Sequence, residues 1–261
     1  MREAFADLPG ARIWYIDSGG SGTPVVFLHP ATGSVRVWEN QIKAFTSAGF
    51  RFIAYDRRGW GRTVVDAAGP QPGTAADDLQ NLMDFLKIDR FHLVGTAAGG
   101  IVALDYALSF QKRLRGLVIA ASIGGMVDDD YQKLGRWMRG PAFDALPPEL
   151  KELGPAYRAA NQAGAERWVE LEKLSRPAGA RAAAQPPRNR VTLAALEALN
   201  VPTLILAGGA DLYAPPPMMQ LFASHIKKAK TVTIPDAGHS VNWETPEAFN
   251  RAVLQFLRRV K

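Results

Sequence analysis

The chain of 261 residues contains no cysteine. This absence excludes disulfide bonds, thiolate metal sites and a cysteine nucleophile, and it suits the reducing conditions of the cytoplasm. Long hydrophobic runs are also missing: the longest have the length of a strand, so we expect no membrane-spanning helix. The N-terminal stretch has no basic region followed by an apolar one. We therefore expect a cytoplasmic protein without a signal peptide.

Acidic residues are the scarcer charged class, since 25 Asp and Glu stand against 31 Lys and Arg, a net charge of +6. Two basic clusters, His225–Lys230 and Arg258–Lys261, contain neither interleaved aromatic residues nor a known nucleic-acid motif. We interpret both as solvated surface charge and expect a small-molecule substrate as the partner, with no nucleic acid and no membrane. The sequence contains no cluster of metal ligands and no nucleotide fingerprint, so no metal and no cofactor is expected. Nothing in it indicates an oligomeric state.

Short β-rich apolar runs alternate with amphipathic stretches along most of the chain. This alternation predicts an α/β fold, a mostly parallel sheet with helices on both faces. Thr74 and Thr245 stand where helix N-caps are expected, the second directly before a proline. The seven predicted strands are Ile13–Ile16, Val25–Leu28, Arg51–Tyr55, His92–Gly95, Gly116–Ala120, Thr203–Ala207 and Thr231–Ile234.

The alternation is interrupted over 123–200, a stretch rich in proline with no convincing strand. Short helices separated by prolines are typical of a cap inserted between two core strands. We therefore divide the chain into a first core part at 1–122, a helical cap or lid at 123–200 and a second core part at 201–261. A helical excursion that merely closes the core is the alternative. Within this stretch, the alanine-rich residues 178–185 are expected to be flexible.

The turn Gly95–Gly100 is the most informative motif in the chain. It follows an apolar strand-like run and precedes a predicted helix, and it reads G-x-A-x-G-G where a nucleophile elbow reads G-x-S-x-G. Gly95 and Gly99 are the small residues that the strained apex of such a turn requires on either side. Ala97 occupies the apex, which is the nucleophile position. The turn therefore has the form of an elbow without an attacking oxygen.

Three further loops contain residues suited to acyl-transfer chemistry. Asp211 follows one buried run and His239 follows the next, while His29–Gly33 follows an early run and is rich in small residues. Small residues allow a substrate oxygen to approach the backbone there. The order along the chain, elbow then acid then histidine, is the order of hydrolases that have a nucleophile elbow.

With these motifs in this order, the chain resembles the α/β-hydrolase fold family over most of its length, from about Ile13 to Phe256. Tyr55–Thr63 is similar to the family stretch D-x-R-G-x-G-x-S, and Gly238–Glu247 resembles its histidine loop and final helix. The resemblance covers esterases, enol-lactonases and cofactor-free haloperoxidases alike. It implies an α/β-hydrolase fold with an inserted helical cap.

The resemblance also implies a role for each site residue. His239 is expected to be a general base, held in one tautomer by Asp211. The backbone N–H groups of Ala31 and Ala98 are expected to form an oxyanion hole, since Ala98 follows the apex. The family usually has glycine where this chain has Pro30. Proline donates no hydrogen bond, but the expected donor is the following residue.

Candidate substrate-binding residues are His29, Trp137 and Tyr213. For His29 a purely structural role is the alternative. The predicted cap contains tryptophan together with Met126 and Met138, which favours a small and largely apolar substrate. An ester or a lactone fits this description, and hydrolysis of a carbon–carbon bond remains open.

Alanine at the apex leaves three hypotheses. In the first, the chain is an ester or lactone hydrolase whose serine was replaced by Ala97 through engineering. In the second, a natural serine-less enzyme uses His239 and Asp211 to activate water or to transfer a proton on a labile substrate, as implied by relatives resembling aminoacrylate hydrolases. In the third, the chain only binds a ligand. The retained histidine and aspartate argue against this last hypothesis, because a binding protein needs no base.

Overall fold

A computed structural model of the chain describes residues 1–66, 68–69, 73–176 and 184–260. The strands in these ranges are β1 (Arg2–Leu8), β2 (Ala11–Asp17), β3 (Pro24–Leu28), β4 (Arg51–Tyr55), β5 (Val64–Val65), β6 (Phe91–Thr96), β7 (Leu114–Ala120), β8 (Thr203–Gly208) and β9 (Ala229–Ile234). They form one sheet in the order β1-β2-β4-β3-β6-β7-β8-β9, with β5 paired to β2. The strand pairs β4–β3, β3–β6, β6–β7, β7–β8 and β8–β9 are parallel. Strand β2 is antiparallel to each of its neighbours, β1, β4 and β5. The predicted α/β fold with a mostly parallel sheet is confirmed.

All seven predicted strands are present, most of them extended by one or two residues. The sequence patterns do not predict β1 or β5. β1 is an edge strand with one fully buried residue, Ala6, so its hydrophobic alternation is weak. A Pro9–Gly10 turn, in which Gly10 has φ 73°, connects β1 to β2 and is the signal that marks this hairpin.

The helices of the described residues cover both faces of the sheet, and none of them is long and apolar enough to cross a membrane. Three short 3₁₀ helices lie at Val35–Trp38, Gln111–Arg113 and Phe143–Ala145. The α-helices are α1 (Glu39–Ser47), α2 (Ala75–Phe85), α3 (Ala98–Phe110), α4 (Asp129–Arg139), α5 (Pro148–Glu152), α6 (Pro155–Ala160), α7 (Gln162–Ser175), α8 (Leu193–Leu196), α9 (Pro216–Ala223), α10 (Val241–Glu244) and α11 (Pro246–Leu257).

The two predicted N-caps differ in their hydrogen bonds. Thr74 precedes α2, and its side-chain oxygen accepts the N–H of Asp77 at 3.0 Å, which confirms the cap. Thr245 precedes α11 as expected, but its side chain makes no capping bond. Its hydroxyl donates instead to the carbonyl of Val241 at 3.0 Å, at the end of α10, and this carbonyl also accepts the N–H of Thr245 at 3.2 Å.

The segment between β7 and β8 contains α4 to α8 and no strand within its described residues. Its inner surface is held by a small apolar cluster in which Leu153, Trp168 and Leu171 pack against Trp243 of α10. The segment therefore rests on the elements that follow β9. Of the stretch expected to be flexible, residues 178–183 lie outside the described residues, and the limits drawn at 123 and 200 stay a prediction.

Two apolar layers enclose the sheet, one on each face. Along β3, Val26 and Leu28 point into one layer, and Val25 and Phe27 point into the other. Phe27 lies at the centre of an aromatic group, with ring centroids 4.4 Å from Phe52 and 5.0 Å from Trp38 and Phe45. Burial on both faces makes β3 a rigid central strand, and its carboxyl end leads into the segment that contains Ala31.

Truncation of this aromatic group should destabilise the whole domain. Phe27 has no exposed surface, so we expect Phe27→Ala to lower the free energy of unfolding by about 3–5 kcal/mol, through lost transfer energy and an unfilled cavity. Phe85→Ala is the matched control because that ring is 46% exposed, and we expect it to cost about 1 kcal/mol or less. Urea denaturation of both variants measures the difference, and equal losses would contradict this account of the core.

Candidate active site

The turn between β6 and α3 has the strained geometry of a nucleophile elbow. Ala97 has φ 49° and ψ −118°, a backbone conformation that residues with a side chain rarely adopt. The backbones around it touch directly: a Cβ atom on Gly95 would lie 2.4 Å from the carbonyl oxygen of Gly99, and one on Gly99 would lie 2.1 Å from that of Leu28. Both positions therefore require glycine, because there is no room for a Cβ atom. The apex itself ends in a methyl group.

His239 and Asp211 form a buried hydrogen-bonded pair. The ring Nδ1 of His239 lies 2.8 Å and 3.0 Å from the two carboxylate oxygens of Asp211. The N–H groups of Tyr213 and Ala214 donate to the same carboxylate at 2.7 and 2.9 Å and fix its orientation. Because an ionised carboxylate only accepts, Nδ1 carries the proton. This bond leaves Nε2 of His239 as the ring atom available to a reacting molecule.

The loops that present these two residues are joined by their backbones. The N–H of Ala210 donates to the carbonyl of Ala237 at 2.9 Å, and the N–H of Gly209 donates to that of Ile234 at 2.8 Å. A Cβ atom on Gly208 would lie 2.2 Å from the carbonyl oxygen of Gly238. The acid and the histidine are thus held together by the ends of neighbouring parallel strands, β8 and β9.

Two N–H groups at this edge of the sheet make no hydrogen bond with the described residues. Ala98 is the first residue of α3, so its N–H has no partner within the helix. Ala31 directs its carbonyl oxygen to the indole N–H of Trp60 at 2.7 Å, while its own N–H remains unbonded. The contact of Gly99 with Leu28 fixes the strand that leads to Ala31 against the start of α3. The two predicted oxyanion-hole donors are therefore both unpaired.

His29 supports the backbone of the loop that contains Ala31. Its ring has no exposed surface, and both nitrogens are engaged: Nδ1 donates to the carbonyl of Pro30 at 2.7 Å, and Nε2 accepts the N–H of Arg57 at 3.0 Å. Burial, reinforced by the positive charge of Arg57, holds the pKa of His29 well below its usual value. The neutral ring is a structural link within its loop.

Trp137 and Tyr213 line one cleft, which has a volume of about 680 Å³. Trp137 on α4 is 81% exposed, which is unusual for so large an apolar side chain. The Tyr213 ring packs on the imidazole of His239, with centroids 4.5 Å apart, and Phe143 meets Tyr213 edge to face at 4.6 Å. His239 does not line the cleft itself. Tyr213 both lines the cleft and contacts the histidine.

Two buried glutamates adjoin the pair, and no sequence signal predicts them. The Glu244 side chain accepts the N–H groups of Gly154 and Gly238 at 2.8 and 2.9 Å, which ties the helical segment to the histidine loop. Burial raises the pKa of Glu244 to about 7, although both N–H groups lower it. Glu152, the last residue of α5, is 4% exposed, and burial raises the pKa of its carboxyl group. Local sequence does not distinguish such an inward carboxylate from a solvated one.

These carboxylates set the charge of the histidine. Burial alone disfavours a charged ring, but the negative charges of Asp211 and Glu152, with a smaller contribution from Glu244, raise the pKa of His239 to about 9. The imidazole is therefore mostly protonated at neutral pH. No three histidine, aspartate or glutamate side chains of the described ranges are grouped as metal ligands.

Comparison with known proteins agrees with this fold. The model of the family described as "Alpha/beta hydrolase family" matches residues 25–252. The chain belongs to the α/β hydrolase family. The predicted family, the predicted fold and the prediction that the chain is a hydrolase of this family are confirmed. The alanine at the nucleophile position is a feature of this sequence that the comparison does not address.

Several known proteins are similar to this chain over most of its length. It is 28% identical to a 2-hydroxy-6-oxononadienedioate/2-hydroxy-6-oxononatrienedioate hydrolase of Burkholderia vietnamiensis, over 95% of this chain and 91% of that protein. It is 31% identical to a protein of a Caulobacter species named as a carbamate hydrolase, RutD, over 86% and 87% of the two chains. The structure of a thermophilic esterase from Thermogutta terrifontis matches with a TM-score of 0.80 at 28% identity, covering 99% of each chain.

The charge of the histidine is open to direct measurement. We expect Asp211→Asn to lower the pKa of His239 from about 9, because it removes the adjacent negative charge. Asp236→Asn, which changes an exposed carboxylate of the same loop, is the matched control. Titration of the imidazole by NMR, with the resonance assigned from a His239→Gln sample, gives the values. Equal pKa values in both variants would refute the dominance of Asp211.

Proposed function

We propose that the protein hydrolyses a small, largely apolar ester or lactone by direct attack of water, with His239 as the group that transfers the proton. The observation that carries this proposal is a complete, buried His239–Asp211 pair beside an elbow whose apex, Ala97, has no oxygen. An acyl-enzyme cannot form on a methyl group. The pair retains what hydrolysis without a covalent intermediate requires, which is an oriented acid or base.

The remaining parts of the site suit the same reaction. The free N–H groups of Ala31 and Ala98 would stabilise the negative oxygen that develops when water adds to a carbonyl. The carbon–oxygen bond then breaks, and the leaving oxygen takes up a proton. Without a nucleophile, an enzyme of this kind keeps only the part of its acceleration that comes from binding and the oxyanion hole, roughly 10³–10⁴ over water in serine proteases. The substrate should therefore be intrinsically labile.

The cleft and the relatives support the substrate class. Trp137, Phe143 and Tyr213 give the cleft an aromatic lining that suits an apolar small molecule. Among the relatives, one is named as a carbamate hydrolase and one neighbour as an esterase, and both names describe hydrolysis at an acyl carbon. Hydrolysis of a carbon–carbon bond is the alternative reaction on the same framework, and the Burkholderia relative is named as a hydrolase of unsaturated oxo-dioates. The absence of cysteine supports a cytoplasmic location.

A second candidate function is a serine hydrolase disabled by alanine. The specific observation in its favour is the φ of 49° at Ala97, since this strained backbone otherwise serves to present a nucleophile. In this case the site would bind its substrate and turn it over only after an oxygen is restored. A protein that binds its ligand without any turnover is the least favoured function, because the His239–Asp211 pair is complete.

Turnover of a panel of small esters and lactones separates these functions. We expect the chain with Ala97 to turn over a labile substrate, and His239→Gln to lower kcat by about 100-fold or more, because it removes the proton-transfer group. His225→Gln is the matched control, since His225 pairs with Glu197 away from the site and should be dispensable. We expect Ala97→Ser to change the rate by about tenfold or less.

The same panel identifies the other outcomes. A rise of about a thousandfold with Ala97→Ser, from an inactive starting chain, would replace the proposal with a disabled serine hydrolase. Saturable binding of a panel compound without turnover by either chain would support a binding protein instead.

A further inference from the structure

Glu152 is a buried carboxylate without an ionic partner in the described chain. Its side chain is 4% exposed, and its Oε2 atom has no hydrogen-bond partner among the described residues. Its backbone carbonyl accepts the N–H of Ser240 at 2.9 Å, which fixes the end of α5 beside the histidine loop. The residue is therefore held at the candidate site by its main chain, while one side-chain oxygen remains unsatisfied.

The surroundings of this carboxylate are those of the proposed reaction. The side chain of Thr32, which directly follows the oxyanion-hole candidate Ala31, lowers the pKa of the Glu152 carboxyl group against the larger effect of burial. Burial raises the pKa of Tyr213, and the negative charge of Glu152 adds to this effect. The same charge, after that of Asp211, raises the pKa of His239 against the opposing effect of burial, so the carboxylate lies near both rings. A buried carboxylate with an unpaired oxygen destabilises a folded chain unless a donor meets it. A reacting water molecule is such a donor.

The charge states of the two groups fit complementary roles. The carboxylates beside His239 raise its pKa against the effect of burial, which favours the protonated imidazole, the form that can donate a proton. Burial raises the pKa of Glu152, which makes its carboxylate a stronger base than a solvated one. Pairs of titratable groups with separated proton affinities are how enzymes divide acid and base roles.

We propose that Glu152 is the general base of the serine-less reaction, accepting a proton from the attacking water while protonated His239 donates one to the leaving oxygen. This inference rests on the proposed function. The water oxygen forms a bond to the acyl carbon, the bond from that carbon to the leaving oxygen breaks, and the products are a carboxylic acid and an alcohol. Transfer of the proton on Glu152 back to His239, through the departing products or solvent, restores the starting state, so no other reactant is needed.

The pH dependence distinguishes this division of roles from a reaction in which His239 alone is the base. The titratable groups whose charges act on Glu152 are His239, Asp211 and Lys151, and the charge of Glu152 in turn acts on Tyr213. We expect kcat/KM to follow a bell-shaped curve: protonation of Glu152 lowers it on the acid side, and loss of the proton from His239 lowers it above about pH 9. A rate that rises through pH 9 to a plateau would overturn the proposal, because it identifies neutral His239 as the base.

The decisive variants are Glu152→Gln and its matched control Glu149→Gln, the same change one turn earlier in α5. We expect Glu152→Gln to lower kcat/KM by about 100-fold or more and to abolish the acid limb, and Glu149→Gln to leave both unchanged. In Glu152→Ala, added formate should restore activity by about tenfold or more, because it supplies the missing carboxylate. A merely structural role for Glu152 predicts no such rescue.

The outcomes separate this inference from the proposed function. If the unmodified chain turns over the panel in a His239-dependent manner and Glu152→Gln stays within about threefold of it, only the role of Glu152 is overturned. Failure of formate to restore the activity of Glu152→Ala likewise overturns only the proposed role of Glu152. An unmodified chain without turnover overturns the proposed function and the role of Glu152 together.

Discussion

Direct contact between backbones at the carboxyl edge of the sheet is the constraint on which the site depends. The start of α3 lies so close to the end of β3 that even a methyl group on Gly99 would collide with the carbonyl of Leu28. In this space the chain leaves β6 through the strained conformation of Ala97. The same close packing recurs between the loops after β8 and β9 at Gly208. Backbone geometry therefore positions the site groups, and the identity of the apex side chain does not.

The electrostatics of the site differ from those of a serine triad at rest. There the histidine begins neutral so that it can take a proton from the serine hydroxyl. Here Asp211, Glu152 and Glu244 surround one imidazole and favour its protonated form. With a methyl group at Ala97, a neutral histidine would have no hydroxyl to activate. The charge distribution and the missing oxygen are therefore consistent with each other.

The sequence predicts the fold better than it predicts the site. Strands such as β3 and β8 are continuous apolar runs buried on both faces, so the local sequence pattern predicts them. Strand β1 is half exposed, and the local pattern does not predict it. Motif order also locates the pair that the structure brings together, His239 and Asp211. It does not show that His29 uses both ring nitrogens within its loop. Nor does it reveal the inward carboxylates, because their surroundings come from residues distant in the chain.

Glu244 joins the helical segment to the histidine loop through hydrogen bonds to Gly154 and Gly238. Its pKa of about 7 in this buried position exceeds the usual value for a glutamate in water. Lifting the segment away would return the carboxylate to solvent, where it holds its proton less tightly. The closed form thus binds more protons than an open one near neutrality, and opening is accompanied by proton release. Opening of the segment would therefore become easier as the pH rises through about 7, and a further rise would add nothing.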